Sequence, residues 1–236
     1  MSNTKIKPEF DQLANDYEQL LGKAVTISGE APDYFAQYKI ADLVQCLNTK
    51  FFYPQSILDF GSGIGNSIPF FRQYFAGVVL NNADVSEHSN ALAKKRFPGA
   101  ENYLQILENI PVANNSQDLV FTSCVFHHIP PAEHAFWFKE ILRILKPGGY
   151  LAVYEHNPLN PLTQWVVSHS PLDVNAILIP PKKIAHLFNA TGFVQSELTY
   201  KVFFPKALNF LRRYESRLGS IPLGAQYRYI AKKPIN

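Results

Sequence analysis

Apolar positions recur along this chain at two spacings, one helical and one of strand type, and their succession predicts the elements. Phe10, Leu13, Ala14, Tyr17 and Leu20 mark a helix from Pro8 to about Leu21, and Phe35, Tyr38, Leu43 and Cys46 mark another from Tyr34 to about Leu47. The pattern then changes. Ser56 to Phe60 is a short apolar run stopped by a glycine cluster, and Ile64 to Phe75 is long enough for a helix. The unit recurs: a strand from Val78 to Ala83, a helix from Ser86 to Phe97 closed by Pro98-Gly99, and a short strand from Tyr103 to Leu107. Next come a strand from Asp118 to Cys124, a helix from Pro131 to Leu145 ended by Lys146-Pro147-Gly148-Gly149, and a strand from Tyr150 to Glu155. Strands alternating with helices argue for an α/β fold with a doubly wound, mostly parallel sheet. A Pro-rich insertion from Asn157 to Pro181 interrupts the alternation and carries five of the 17 prolines. Beyond it the pattern predicts a helix from Pro181 to Ala190 and a strand from Phe193 to about Phe204. A basic amphipathic helix near Ala207 to Leu218 and a last strand from Gln226 to Ala231 complete the series.

Composition narrows the classes. A length of 236 residues fits one domain spanning 1–236, and 47% hydrophobic against 17% charged residues supplies a full core. Cys46 and Cys124 make no disulfide framework and no metal-ligand spacing, so a reduced, cytoplasmic setting without structural zinc is expected. The first residues lack the apolar core of a signal peptide, and no run approaches the ~20 apolar residues of a membrane span. The net charge of +3 hides an asymmetry: residues 201–236 hold 8 Lys/Arg against the single Glu215. Such a tail is either a solvated face or a contact for an anionic substrate or a membrane surface.

The glycine cluster carries the first chemical signal. Asp59-Phe60-Gly61-Ser62-Gly63-Ile64-Gly65 lies between a predicted strand and helix, where glycines let the backbone turn tightly against a ligand. Asn66 stands where a dinucleotide fingerprint has Gly or Ala, which disfavours a nicotinamide cofactor. Asp84 closes the second strand, where a carboxylate accepts hydrogen bonds from both hydroxyls of a ribose.

With those residues in place, the chain resembles the class I S-adenosylmethionine-dependent methyltransferases of the small-molecule type. The resemblance rests on four segments in order: Ile57 to Gly65, Ala83 to Ser86, Ser116 to Phe121 followed by Val125 to Ile129, and Leu145 to Leu151. It implies a seven-stranded sheet with an antiparallel last strand, and S-adenosylmethionine as cofactor with S-adenosylhomocysteine as product. It also implies that residues 1–50 form a helical cap over the cofactor. By the same resemblance Gly61, Gly63 and Gly65 with Asp59 hold the methionine end, and Asp84 with Val85 holds the ribose. Ser123 and Cys124 line the site where the fourth strand ends. Tyr17 covers the cofactor, or else is a core aromatic of its helix. Many relatives place an acid after the third strand for the adenine. Ile106 stands there in this chain and Leu107 and Glu108 follow, so either a backbone group of this segment or Glu108 is expected to meet the base.

Methyl transfer from a sulfonium is an in-line displacement that chiefly needs an oriented acceptor, with a base only when the acceptor carries a proton. His127 and His128 follow the fourth strand, and Glu155 and His156 end the fifth; neighbouring exits of this kind open onto the ligand crevice. An imidazole oriented by Glu155 suits a hydroxyl proton, so His127, His128 and Glu155 are the candidate catalytic residues. No metal ligand is expected among them, for want of a spacing signature. The expected reaction is O-methylation of a hydroxylated or saccharide acceptor. A quinone or lipid-precursor methyltransferase at a membrane surface and a non-catalytic cofactor-binding module are the alternatives. Nucleic acid is not an expected partner.

Overall fold

The computed structural model describes residues 29–31 and 33–235. The helix expected from Pro8 to Leu21, and Tyr17 on it, lie outside the described residues. Helix α1 spans Tyr34–Thr49 and buries Ile40, Leu43 and Leu47 along one face. Strand β1 (Ser56–Phe60), helix α2 (Ile68–Tyr74), strand β2 (Val79–Asp84), helix α3 (Glu87–Arg96) and strand β3 (Asn102–Gln105) follow. Then come β4 (Gln117–Ser123), helix α4 (His134–Ile144) and β5 (Leu145–His156). Helices α5 (Pro161–Ser168) and α6 (Pro181–Thr191), strand β6 (Val194–Lys201) and strand β7 (Gln226–Lys232) close the order.

The seven strands lie in the order β3-β2-β1-β4-β5-β7-β6. Strand β7 runs antiparallel to both its neighbours, and every other pairing is parallel. Side chains alternate between the faces, as strand geometry requires. Leu58, Val120 and Val153 meet Phe138 and Ile141 of α4 and Phe188 of α6, whereas Ile57, Phe121 and Tyr154 meet Ile40 and Leu43 of α1 and Phe71 of α2. Burial on both sides explains why the central strands read as continuous apolar runs. The chain order reverses between β1 and β4, so their carboxyl ends flank the crevice where such sheets take ligands.

Helix α5 forms inside the Pro-rich insertion, where no helix was expected, α4 begins at His134 rather than Pro131, and three further elements differ. Helix α2 begins at Ile68 rather than Ile64, because the glycine loop continues through Gly65 at φ +80°, a left-handed conformation no helix contains. Strand β5 begins at Leu145 and absorbs the expected Lys146–Gly149 turn as an irregularity in its register against Gln117 and Leu119. The basic segment is a 3₁₀ stretch, Lys206–Arg217, broken at Leu208 and without a buried residue. It is held from its polar side. Arg212 pairs with Glu30 at 2.5 Å, and Glu215 accepts hydrogen bonds from the Phe203 and Phe204 amides and the Tyr38 hydroxyl. Among the described residues no helix is long and apolar enough to cross a membrane.

Candidate active site

A cavity of about 450 Å³ opens at the carboxyl ends of β1 and β4. Its first wall is the glycine loop. Gly61 and Ser62 donate their amides to the Ala83 carbonyl at 2.8 and 3.2 Å, which ties the loop to the end of β2. Asp84 completes the tie: its Oδ2 accepts from the Gly63 amide at 2.8 Å and its Oδ1 from the Ser86 amide at 2.9 Å. Asp84 also lines the cavity, so the group that ties the loop stands at the ligand's wall. A β-carbon on Gly61 would lie 2.4 Å from Val125 Cγ2, so that position admits glycine alone. At Gly63 (φ +52°) the same atom would meet nothing within 4 Å, so the backbone stands open to a ligand. Gly65 does not line the cavity; it packs against Ile68 and Ala93 and sets the turn.

Asp59 is buried beside this loop. Burial, then the nearby Asp84, push its carboxyl up to about 8, against a smaller pull from Lys39. Lys39 escaped notice in the sequence because it occupies a buried position of α1. Its Nζ donates to Ser123 Oγ at 2.7 Å and to Cys124 Sγ at 3.3 Å. Burial opposes the Cys124 thiolate, but Lys39 and His156 outweigh it and bring the thiol down to about 6. Val85, Ser123 and Cys124 line the cavity. Leu107 and Glu108 do not. Both are exposed, and the buried Ile106 lines the cavity instead, so this end of the site is apolar rather than acidic.

The second wall is the histidine turn, Phe126–His128, after β4. Phe126 anchors it by stacking on Phe60 and packing on Phe138, and His134 Nε2 lies 2.9 Å from the carbonyls of both Phe126 and Ile129. Glu155 sits behind the turn and does not line the cavity; it faces His127, the imidazole it was expected to orient. Its Oε1 accepts from the Val125 and Phe126 amides at 3.1 and 2.8 Å, and its Oε2 lies 2.5 Å from His127 Nδ1. The other ring nitrogen of His127, Nε2, lies 3.2 Å from Asp173 Oδ1. Burial disfavours charge on His127, but Glu155 and Asp173 outweigh it and push the ring up to about 10. Burial and the adjacent His127 hold His128 down, to about 4. His127, His128, His156 and Asp173 all line the cavity. Asp173 comes from the Pro-rich insertion, and no local pattern announced its meeting with the histidines.

Residues 58–153 match the methyltransferase domain family. That segment is a methyltransferase domain. The chain is 36% identical over 102 residues to a trans-aconitate 2-methyltransferase of Acidovorax, covering 42% of this chain and 38% of that protein. It is 26% identical over 151 residues to a malonyl-[acyl-carrier protein] O-methyltransferase of Marinomonas, covering 62% of this chain and 54% of that one. The matches thus span about half the length, or less, of these curated relatives. Among solved structures, a methyltransferase of Thermotoga maritima described as a possible histamine N-methyltransferase superposes with a TM-score of 0.68 at 20% identity. That superposition covers 97% of this chain and 99% of the other, and it places the whole sheet, including antiparallel β7, in the class I methyltransferase fold.

Proposed function

We infer that this methyltransferase domain binds S-adenosylmethionine and transfers its methyl group to an oxygen of a small hydroxylated or saccharide acceptor. The observation that carries the reading is the continuity of one cavity, from the open Gly63 backbone and Asp84 at one end to His127, His128 and His156 at the other. Donor and acceptor placed in it meet without crossing the protein, which is what an in-line displacement requires. Gly61, Gly63 and Asp59 take the methionine end of the cofactor, Asp84 and Val85 the ribose, and Ile106 the apolar face of the base. Ser123 and Cys124 close the floor. Helix α1, through Phe35 and Lys39, supplies the described part of a cap.

The acceptor end combines apolar and polar walls. Phe203, Phe204, Leu162 and Val166 offer surface for a carbon skeleton, while Gln226 Oε1 is buried without a hydrogen-bond partner among the described residues. Buried polar atoms are normally paired, so this one favours a ligand bearing hydroxyls. His127 and His128 present the polar wall to the reacting oxygen, and Glu155 positions His127. The O-methyltransferase name of the Marinomonas relative agrees with oxygen as the target.

Calorimetric titration with S-adenosylmethionine and S-adenosylhomocysteine, followed by methyl transfer from labelled donor to a panel of hydroxylated acceptors, tests the reading. Micromolar cofactor binding with turnover supports it. Cofactor binding without turnover on any acceptor moves the protein to a non-catalytic binding role, and absence of cofactor binding by folded protein removes the reading altogether.

A further inference from the structure

We propose that His127, His128 and Asp173 bind one divalent transition-metal ion, zinc or a neighbour in the first row, at the acceptor end of the cavity. Each residue offers one ligand atom, and the three atoms lie within 4.8 Å of one another. An ion held tetrahedrally at about 2.0–2.1 Å separates its ligands by roughly 3.3 Å. His127 Nε2 stands 3.2 Å from Asp173 Oδ1, and His128 Nε2 stands 3.7 Å from the same oxygen. Two of the three separations thus lie within about 0.4 Å of the spacing an ion requires, and the third is no more than 4.8 Å.

The surroundings are built for ligation. His127 holds its remaining nitrogen, Nδ1, 2.5 Å from Glu155, the carboxylate behind a metal-bound imidazole that fixes its tautomer and raises its basicity. Glu155 is in turn fixed by two backbone amides. Asp173 is presented by a loop sewn to the histidine turn, since the Ile177 amide donates to the His127 carbonyl at 2.8 Å and the Asp173 amide to the Ser170 carbonyl at 3.1 Å. Charge also balances: Glu155 and Asp173 bring two negative charges that one divalent ion offsets with both imidazoles neutral. Two histidines and one carboxylate leave the ion's other positions toward the cavity, which all three residues line. A hydroxyl or carboxylate oxygen of the acceptor fits there, and a coordinated hydroxyl is acidified by the ion. That last use rests on the methyl-transfer reading; the ion site does not.

The test is metal uptake by the full chain, stripped with chelator and then titrated with Zn²⁺ and Co²⁺ in the absence of donor and acceptor. One ion per chain is expected, with a cobalt spectrum free of thiolate charge-transfer bands. Asp173→Asn and His128→Gln are expected to weaken uptake at least tenfold while S-adenosylhomocysteine affinity and the circular dichroism spectrum stay unchanged. Cys124→Ser is expected to leave uptake as in the wild type. No stoichiometric ion on folded wild-type protein, equal uptake by the Asp173→Asn variant, or loss of uptake in Cys124→Ser each overturns the proposal. Uptake that survives a failure of cofactor binding keeps the ion site and removes only the methyl-transfer reading.

Discussion

The Gly63 amide donates to Asp84 Oδ2 at 2.8 Å, so the acid that ends β2 also fixes the loop that ends β1. One carboxylate thus shapes the loop and faces the cavity. Asp84→Ala removes both functions, and charge-assisted hydrogen bonds contribute about 1.5–3 kcal/mol each. Calorimetry is expected to show S-adenosylhomocysteine affinity at least 100-fold lower, and affinity within threefold of wild type would refute the assignment.

Gly61 and Gly63 separate packing from ligand approach. Gly61→Ala drives a methyl group into Val125 at a positive φ and is expected to lower the unfolding midpoint markedly. Gly63→Ala meets no neighbour, so it costs only the left-handed strain of about 1–2 kcal/mol. Its cofactor affinity is nevertheless expected to collapse, because the new methyl occupies the ligand's approach. Chemical denaturation and calorimetry on the pair check this contrast.

Glu155→Gln keeps the shape but removes the charge that faces His127 and the Val125 and Phe126 amides. Breaking one partner of a buried pair typically costs about 3–5 kcal/mol. A loss of that order in urea denaturation is expected, and a loss below 1 kcal/mol would show that Glu155 does not hold the turn.

Asp59 predicts a pH signature in stability. Its folded carboxyl is pushed up to about 8 from 3.8, so between those values the native state holds a proton that the unfolded chain has released. Stability from this group therefore falls as pH rises from about 4 to about 8. Asp59→Asn removes that slope, and its stability relative to wild type is expected to climb over the same range. Denaturation midpoints at pH 5, 6.5 and 8 that run parallel for the two proteins would contradict it.

Cys124 and Cys46 are both free thiols in opposite settings. Burial raises Cys46, whereas Cys124, beside Lys39, titrates at about 6 and lines the cavity. Iodoacetamide at pH 7 is expected to label Cys124 first, and S-adenosylhomocysteine is expected to protect it. Peptide mapping that finds Cys46 modified at the same rate, or no protection, would remove Cys124 from the cofactor's floor.

Much of this was legible before any coordinates, and the failures share a cause. Gly61 and Asp84 announced themselves because a turn needing positive φ and an acid at a strand end are local signals. The start of α2 was misplaced by four residues because Ile64 continues an apolar spacing that Gly65 physically interrupts. Leu107 and Glu108 were misassigned because a shift of one or two residues at the end of a short strand decides which side chain turns inward. Glu155 was expected to orient an imidazole, and only packing shows that His127, not His128, is the ring it meets.

The sequence by itself determined the order of the seven strands and of the helices between the first five, the two-sided burial of the central strands, and the glycine loop with its acid. These depend on spacing within a few residues, which the chain states directly. Only the tertiary structure decided that Lys39 meets Cys124 and that Asp173 meets His127 and His128. Those contacts join segments far apart in the chain, across a crevice whose walls exist only once β1, β4 and the insertion have packed together.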